Sequence, residues 1–120
     1  MAAEYAKRIG RFSEFRMQQV RGEEAFGKHQ RAYKIVLDPA GREMTSAELA
    51  RLVARFENDA VREVVLLVGG ADGVSESVRR GADLVLSLSR LTLPHELARV
   101  LVAEQIYRAF TMLRGHPYAR

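Results

Sequence analysis

The stretch Val61-Arg62-Glu63-Val64-Val65-Leu66-Leu67-Val68-Gly69-Gly70-Ala71-Asp72-Gly73 decides the fold class. Its β-branched apolar run has little polar alternation, the pattern of a strand covered on both faces. The glycines turn the chain sharply, and a short helix is expected from Ser75. Strand, turn and helix in that order form the building unit of a parallel sheet. The rest of the chain repeats it. Residues 32–37 read as a strand closed by the turn residues Asp38-Pro39-Ala40-Gly41. Ser46 then precedes Glu48, Leu49, Leu52, Val53 and Phe56, spaced as on a half-buried helix. Residues 84–88 read as a further strand, and residues 94–114 as a long helix ended by Gly115. Towards the N-terminus, residues 2–11 read as the end of a helix, 14–20 as a short strand and 21–30 as a polar loop. Strands alternating with helices predict an α/β fold around a mostly parallel sheet.

The 120 residues suit one domain, and neither repeat nor linker divides them. The absence of cysteine excludes disulfides and thiolate metal sites and fits a reducing cytoplasm. No apolar run reaches the roughly 20 residues needed to span a bilayer. The N-terminus carries no signal-peptide pattern, so a cytoplasmic protein is expected. His29, His95 and His116 are scattered and the carboxylates lack ligand spacing, so no metal site is expected. His95 reads as a helix-start residue. Residues 1–34 hold eight Lys/Arg against four acids, and the remainder balances at eleven of each. That excess (Lys7, Arg8, Arg11, Arg16, Arg21, Lys28, Arg31, Lys34) suits a polyanion such as RNA, and equally a solvated surface.

On the long helix, Leu97, Val100, Leu101, Val102, Ala103, Ile106, Tyr107, Phe110, Met112 and Leu113 cover most of the circumference. Glu104, Arg108 and Thr111 form the one clearly polar stripe. A helix apolar nearly all round is covered on two sides, which predicts a second subunit. Ligands in open α/β sheets bind beyond the carboxyl ends of the strands. The loops after Leu37, Val68 and Leu88 leave such ends and could share one crevice. The glycine turn is neither G-x-G-x-x-G nor a P-loop, and by itself it could be a bare turn. No G-x-S-x-G elbow or Cys-His pair points to a hydrolase.

From residue 64 to 118 the chain resembles the bacterial ribosomal RNA large subunit methyltransferase H family. The phrases that carry the resemblance are Leu67-Val68-Gly69-Gly70, Leu86-Ser87-Leu88-Ser89, Leu91-Thr92-Leu93-Pro94-His95 and Glu104-Gln105-Ile106-Tyr107-Arg108-Ala109-Phe110, with Tyr118 in a short tail. Leu37-Asp38 with Gly41, Ser46 with Leu49-Ala50, and Glu4-Tyr5 match more loosely. The resemblance implies a SPOUT fold, its mostly parallel sheet flanked by helices and its C-terminal segment tucked into a trefoil knot. It implies S-adenosylmethionine bent in the knot crevice against Leu37, Gly69, Leu88, Ser89, Arg90, Leu91, Thr92 and Leu93. It further implies a homodimer that methylates N3 of a pseudouridine in 23S ribosomal RNA on the ribosome, with neither DNA nor a membrane as partner. On the substrate side the expected residues are His116, Tyr118 and Arg120. Family members begin with an apolar strand ahead of the first helix, whereas this chain opens inside that helix. A single SPOUT domain over residues 1–120 without its first strand is therefore expected. The family ends in Tyr-His before Lys/Arg, whereas this chain reads Tyr118-Ala119-Arg120. These departures favour the alternative, a noncatalytic RNA- or ribosome-binding SPOUT protein. A SPOUT enzyme acting on another RNA is a third reading.

Overall fold

The structure is a computed structural model and describes residues 2–13, 26–69 and 74–119. The strand expected over residues 14–20, the first part of the loop that follows it, the turn residues 70–73 and Arg120 lie outside the described residues. In chain order the elements are α1 (Ala2–Ile9), β1 (Tyr33–Glu43), α2 (Ser46–Asn58), β2 (Val64–Val68), α3 (Glu76–Gly81), β3 (Leu84–Ser87), α4 (His95–Leu113) and a 3-10 turn, Pro117–Ala119. They divide into two compact units.

One unit holds the sheet, in the order β2-β1-β3, with both pairings parallel. Tyr33 to Leu37 pair in register with Val64 to Val68, and Ile35 to Leu37 with Leu84 to Leu86. The start of β3 is set by Asp83: its Oδ2 accepts from the Lys34 N–H at 2.8 Å, and its N–H donates to the Lys34 carbonyl at 2.7 Å. Ile35, Val36, Leu37, Val78 and Leu86 are buried, so the central strand carries the most apolar burial.

Among the described residues β2 lies at one side of the sheet, and all five of its residues are half-buried, those on one face as much as those on the other. One expectation needs correction here. Asp38-Pro39-Ala40-Gly41 does not close β1: Asp38 Oδ1 accepts from the Ala40 N–H at 2.8 Å, as turn chemistry demands. The strand then resumes, with Arg42 and Glu43 paired to Leu86 and Ser87 after a register shift. The loop is a bulge within the strand.

The other unit contains α1, α2, α4 from Arg99 onward and the tail. Helix α2 starts in a complete capping box, Thr45 accepting from the Glu48 N–H while Glu48 accepts from the Thr45 N–H. Leu49, Ala50, Leu52 and Val53 form its buried stripe, matching the spacing in the sequence. Ser46 Oγ donates to Gln105 Oε1 at 2.6 Å and ties α2 to α4. Phe12 stacks on Phe110 with centroids 5.6 Å apart, and Arg114 bonds Glu57 through both terminal guanidinium nitrogens. Gly115 (φ 67°) ends α4 as expected.

The polar stripe of α4 is not a solvent face. Thr111 is fully buried, its hydroxyl donating to the Arg108 carbonyl at 2.7 Å. The Glu104 side chain is 16% exposed. No helix among the described residues is long and apolar enough to cross a membrane.

Candidate functional site

The bulge of β1, the carboxyl end of β2 and the loop after β3 open into one cleft. Leu37, Asp38 and Pro39 come from the bulge of β1, and Val68 and Gly69 from the end of β2. Leu88, Ser89, Leu91, Thr92 and Leu93 come from the loop after β3, and Ala98 from the first turn of α4. The loop after β3 holds its own shape: Ser87 Oγ donates to the Ser89 carbonyl at 3.0 Å, and Ser89 Oγ accepts from the Leu91 N–H at 3.0 Å. With the serines engaged locally, the side chains facing the cleft are chiefly aliphatic. Leu91 stands 74% exposed at the cleft. Enclosed space amounts to about 70 Å³, against roughly 300–1,000 Å³ for a site that surrounds a small molecule.

Seven of the eight cofactor residues expected from sequence line this cleft: Leu37, Gly69, Leu88, Ser89, Leu91, Thr92 and Leu93. Arg90 is absent from the lining, and its Nε donates to Glu43 Oε1. Asp38, Pro39, Val68 and Ala98 line it without having been expected there. Asp38 is the most consequential of these: its side chain is 12% exposed, its Oδ1 accepts from the Ala40 N–H and its Oδ2 meets Arg79 NH1 at 3.4 Å. Its signal in the sequence is its place, directly after a strand end and at the opening of a turn. His95 begins α4, with Nδ1 3.8 Å from Glu96 Oε1. Among the described residues no three His, Cys, Asp or Glu side chains are placed to hold a metal ion.

The expected substrate-side residues belong to the helical unit. His116 is exposed, and its Nδ1 accepts from the Tyr118 N–H at 3.2 Å. Tyr118 is half-buried, edge-on to Tyr107 with ring centroids 4.6 Å apart. Its hydroxyl donates to Glu104 Oε2 at 3.2 Å and lies 3.4 Å from the Tyr5 hydroxyl. The Tyr5 contact, burial and the nearby Glu104 charge hold the phenol well above its ordinary pKa. Sequence reasoning gives Glu104 and Tyr5 no role, although both lie in phrases that carry the resemblance.

A family model described as "Predicted SPOUT methyltransferase" matches residues 1–119. The chain is 47% identical over 122 residues to ribosomal RNA large subunit methyltransferase H of Solibacter usitatus, covering 100% of this chain and 87% of that protein. It is 48% identical over 118 residues to a Thermus thermophilus protein of the same name, covering 98% and 84%. With the Gloeobacter violaceus protein of that name the identity is 41% over 131 residues, covering 97% and 85%. The chain belongs to the SPOUT methyltransferase family, in the branch of the ribosomal RNA large subunit methyltransferase H proteins.

Proposed function

We propose that the protein transfers the methyl group of S-adenosylmethionine to N3 of a pseudouridine in 23S ribosomal RNA. The observation that carries this reading is the cleft, where the bulge of β1, the end of β2 with Gly69 and the loop after β3 converge. Relatives named as large-subunit ribosomal RNA methyltransferases match nearly the whole chain. The cleft suits the cofactor in kind. Leu37, Leu88, Leu91 and Leu93 offer an apolar slot for adenine, Gly69 lets backbone approach the ligand, and Asp38 adds a carboxylate to the lining. When bound, the cofactor supplies an electrophilic methyl group on a sulfonium.

The chain's own residues must then orient the nucleotide. Pseudouridine N3 is a weakly acidic imide nitrogen, so alignment and loss of its proton govern the rate. His116, Tyr118 and Arg120 are assigned to the RNA side of the reaction, and the basic excess of residues 1–34 attracts its phosphates. The whole chain forms one SPOUT domain with a C-terminal trefoil knot, works as a homodimer in the cytoplasm, and uses the partner surface to cover the cleft mouth beside Leu91. Calorimetry with S-adenosylmethionine, paired with methyl incorporation into ribosomes lacking the modification, tests the reading. Binding with turnover is the expected result, and binding without turnover would favour a noncatalytic ribosome-binding role.

A further inference from the structure

Three side chains donate to the Glu104 carboxylate. Gln105 Nε2 lies 2.9 Å from Oε1, Arg108 Nε and NH2 lie 3.1 and 3.0 Å from Oε2, and the Tyr118 hydroxyl lies 3.2 Å from Oε2. The Arg108 guanidinium also stands 5.5 Å from the centroid of the Tyr118 ring. Tyr118 is thus held at its hydroxyl by a carboxylate, at its face by a cation and at its edge by Tyr107. An i,i+4 ion pair alone would satisfy Glu104 and Arg108 on a helix surface. The additional bond recruits a residue 14 positions away in the chain. At 3.2 Å the phenol–carboxylate bond is longer than the tightest charge-assisted bonds, and the Arg108 cation at the ring face adds to the hold on Tyr118. The same residue's N–H reaches His116 Nδ1. With Nδ1 accepting, the neutral imidazole carries its proton on Nε2 and offers a donor there.

We propose that Glu104 is a positioning residue for RNA: through the Tyr118 hydroxyl it fixes the tail so that the exposed His116 imidazole meets the nucleic acid as a hydrogen-bond donor. This rests on the proposed function and refines it, because Tyr118 is committed to the latch and its ring is not free to stack on a base. Glu104 touches neither cofactor nor nucleotide and acts through Tyr118.

The test is steady-state methylation of ribosomes lacking the modification, with cofactor affinity measured in parallel, for wild type, Glu104→Ala, Glu104→Gln, Tyr118→Phe and Glu104→Ala/Tyr118→Phe. Cofactor affinity should be unchanged in all. Glu104→Ala and Tyr118→Phe should each lower kcat/KM for ribosomes about tenfold, mainly through KM. Glu104→Gln keeps an acceptor for the phenol and should recover part of the loss. The double variant should be no worse than the poorer single one, since both remove the same bond. Should Glu104→Ala not fold, Tyr118→Phe keeps the ring and carries the same expectation. Wild-type kinetics in Tyr118→Phe, or losses that multiply in the double variant, would overturn the latch alone. A wild type with no turnover would overturn the proposed function and the latch with it.

Discussion

Gly41 approaches β3 so closely that a Cβ built on it would stand 2.6 Å from the Val85 carbonyl oxygen and 2.8 Å from its carbonyl carbon. That contact is with backbone, which cannot swing aside. It explains how β1 returns to β3 at Arg42 after the bulge, and why Asp38 and Pro39 reach the cleft. Gly41→Ala should therefore destabilise the protein by about 1–3 kcal/mol through overpacking. Cofactor affinity should fall as well, because the displaced segment lines the cleft. Chemical denaturation and calorimetry on the same preparation check both effects.

Gly69 ends β2 at the cleft wall. Gly69→Val places a branched side chain where backbone and ligand would share space, and should weaken S-adenosylmethionine binding at least about tenfold. Circular dichroism should remain that of the wild type. Unchanged affinity in a folded variant would move the cofactor to another site.

The ends of α2 and α4 differ in how well they suit their backbone. Gly115 takes a left-handed φ of 67° after α4, whereas after α2 the corresponding residue is Ala60, at φ 54°. A left-handed L-residue costs roughly 1–2 kcal/mol, partly offset by the greater freedom of glycine in the unfolded chain. Ala60→Gly should raise stability by about 0.5 kcal/mol, and Gly115→Ala should lower it by a similar amount or more. Thermal unfolding of the two variants should therefore shift in opposite directions.

The same pair shows what is legible in a sequence. Gly115 is a terminator that can be read directly, and Ala60 is not, because alanine carries no sign of a left-handed turn. Strand ends can be read where apolar runs meet turn residues, which is why the three loops that meet at the cleft follow from the sequence, while the individual cofactor residues follow from the family resemblance. The bulge is not legible, since Asp38-Pro39-Ala40-Gly41 has turn chemistry whether the strand stops or resumes. Neither is the cover over Glu104 and Thr111. Local polarity marks a solvent face until a distant residue such as Tyr118 closes over it, and periodicity carries no long-range contact.

Glu57 and Arg114 provide a pH test. The Arg114 hydrogen bonds hold the Glu57 carboxyl below its ordinary pKa, against a smaller opposing effect of burial. A carboxylate depressed in the folded state stabilises at pH values above its unfolded pKa. That contribution is lost as pH falls through the folded value. The two side chains are 42% and 41% exposed, so solvent screening keeps the effect small. Glu57→Gln should lower Tm by about 1 °C at neutral pH. The difference should vanish in acid below the carboxylate range and shrink in high salt.

The most direct measurement is mass spectrometry of 23S ribosomal RNA. Ribosomes lacking the modification are incubated with the protein, with and without S-adenosylmethionine, and the rRNA nucleosides are then resolved. The expected result is one added methyl group on a single pseudouridine at N3, dependent on the cofactor and strongly reduced by Gly69→Val. An unmodified pseudouridine with cofactor bound, or a methyl group on another nucleotide, would contradict the proposed activity.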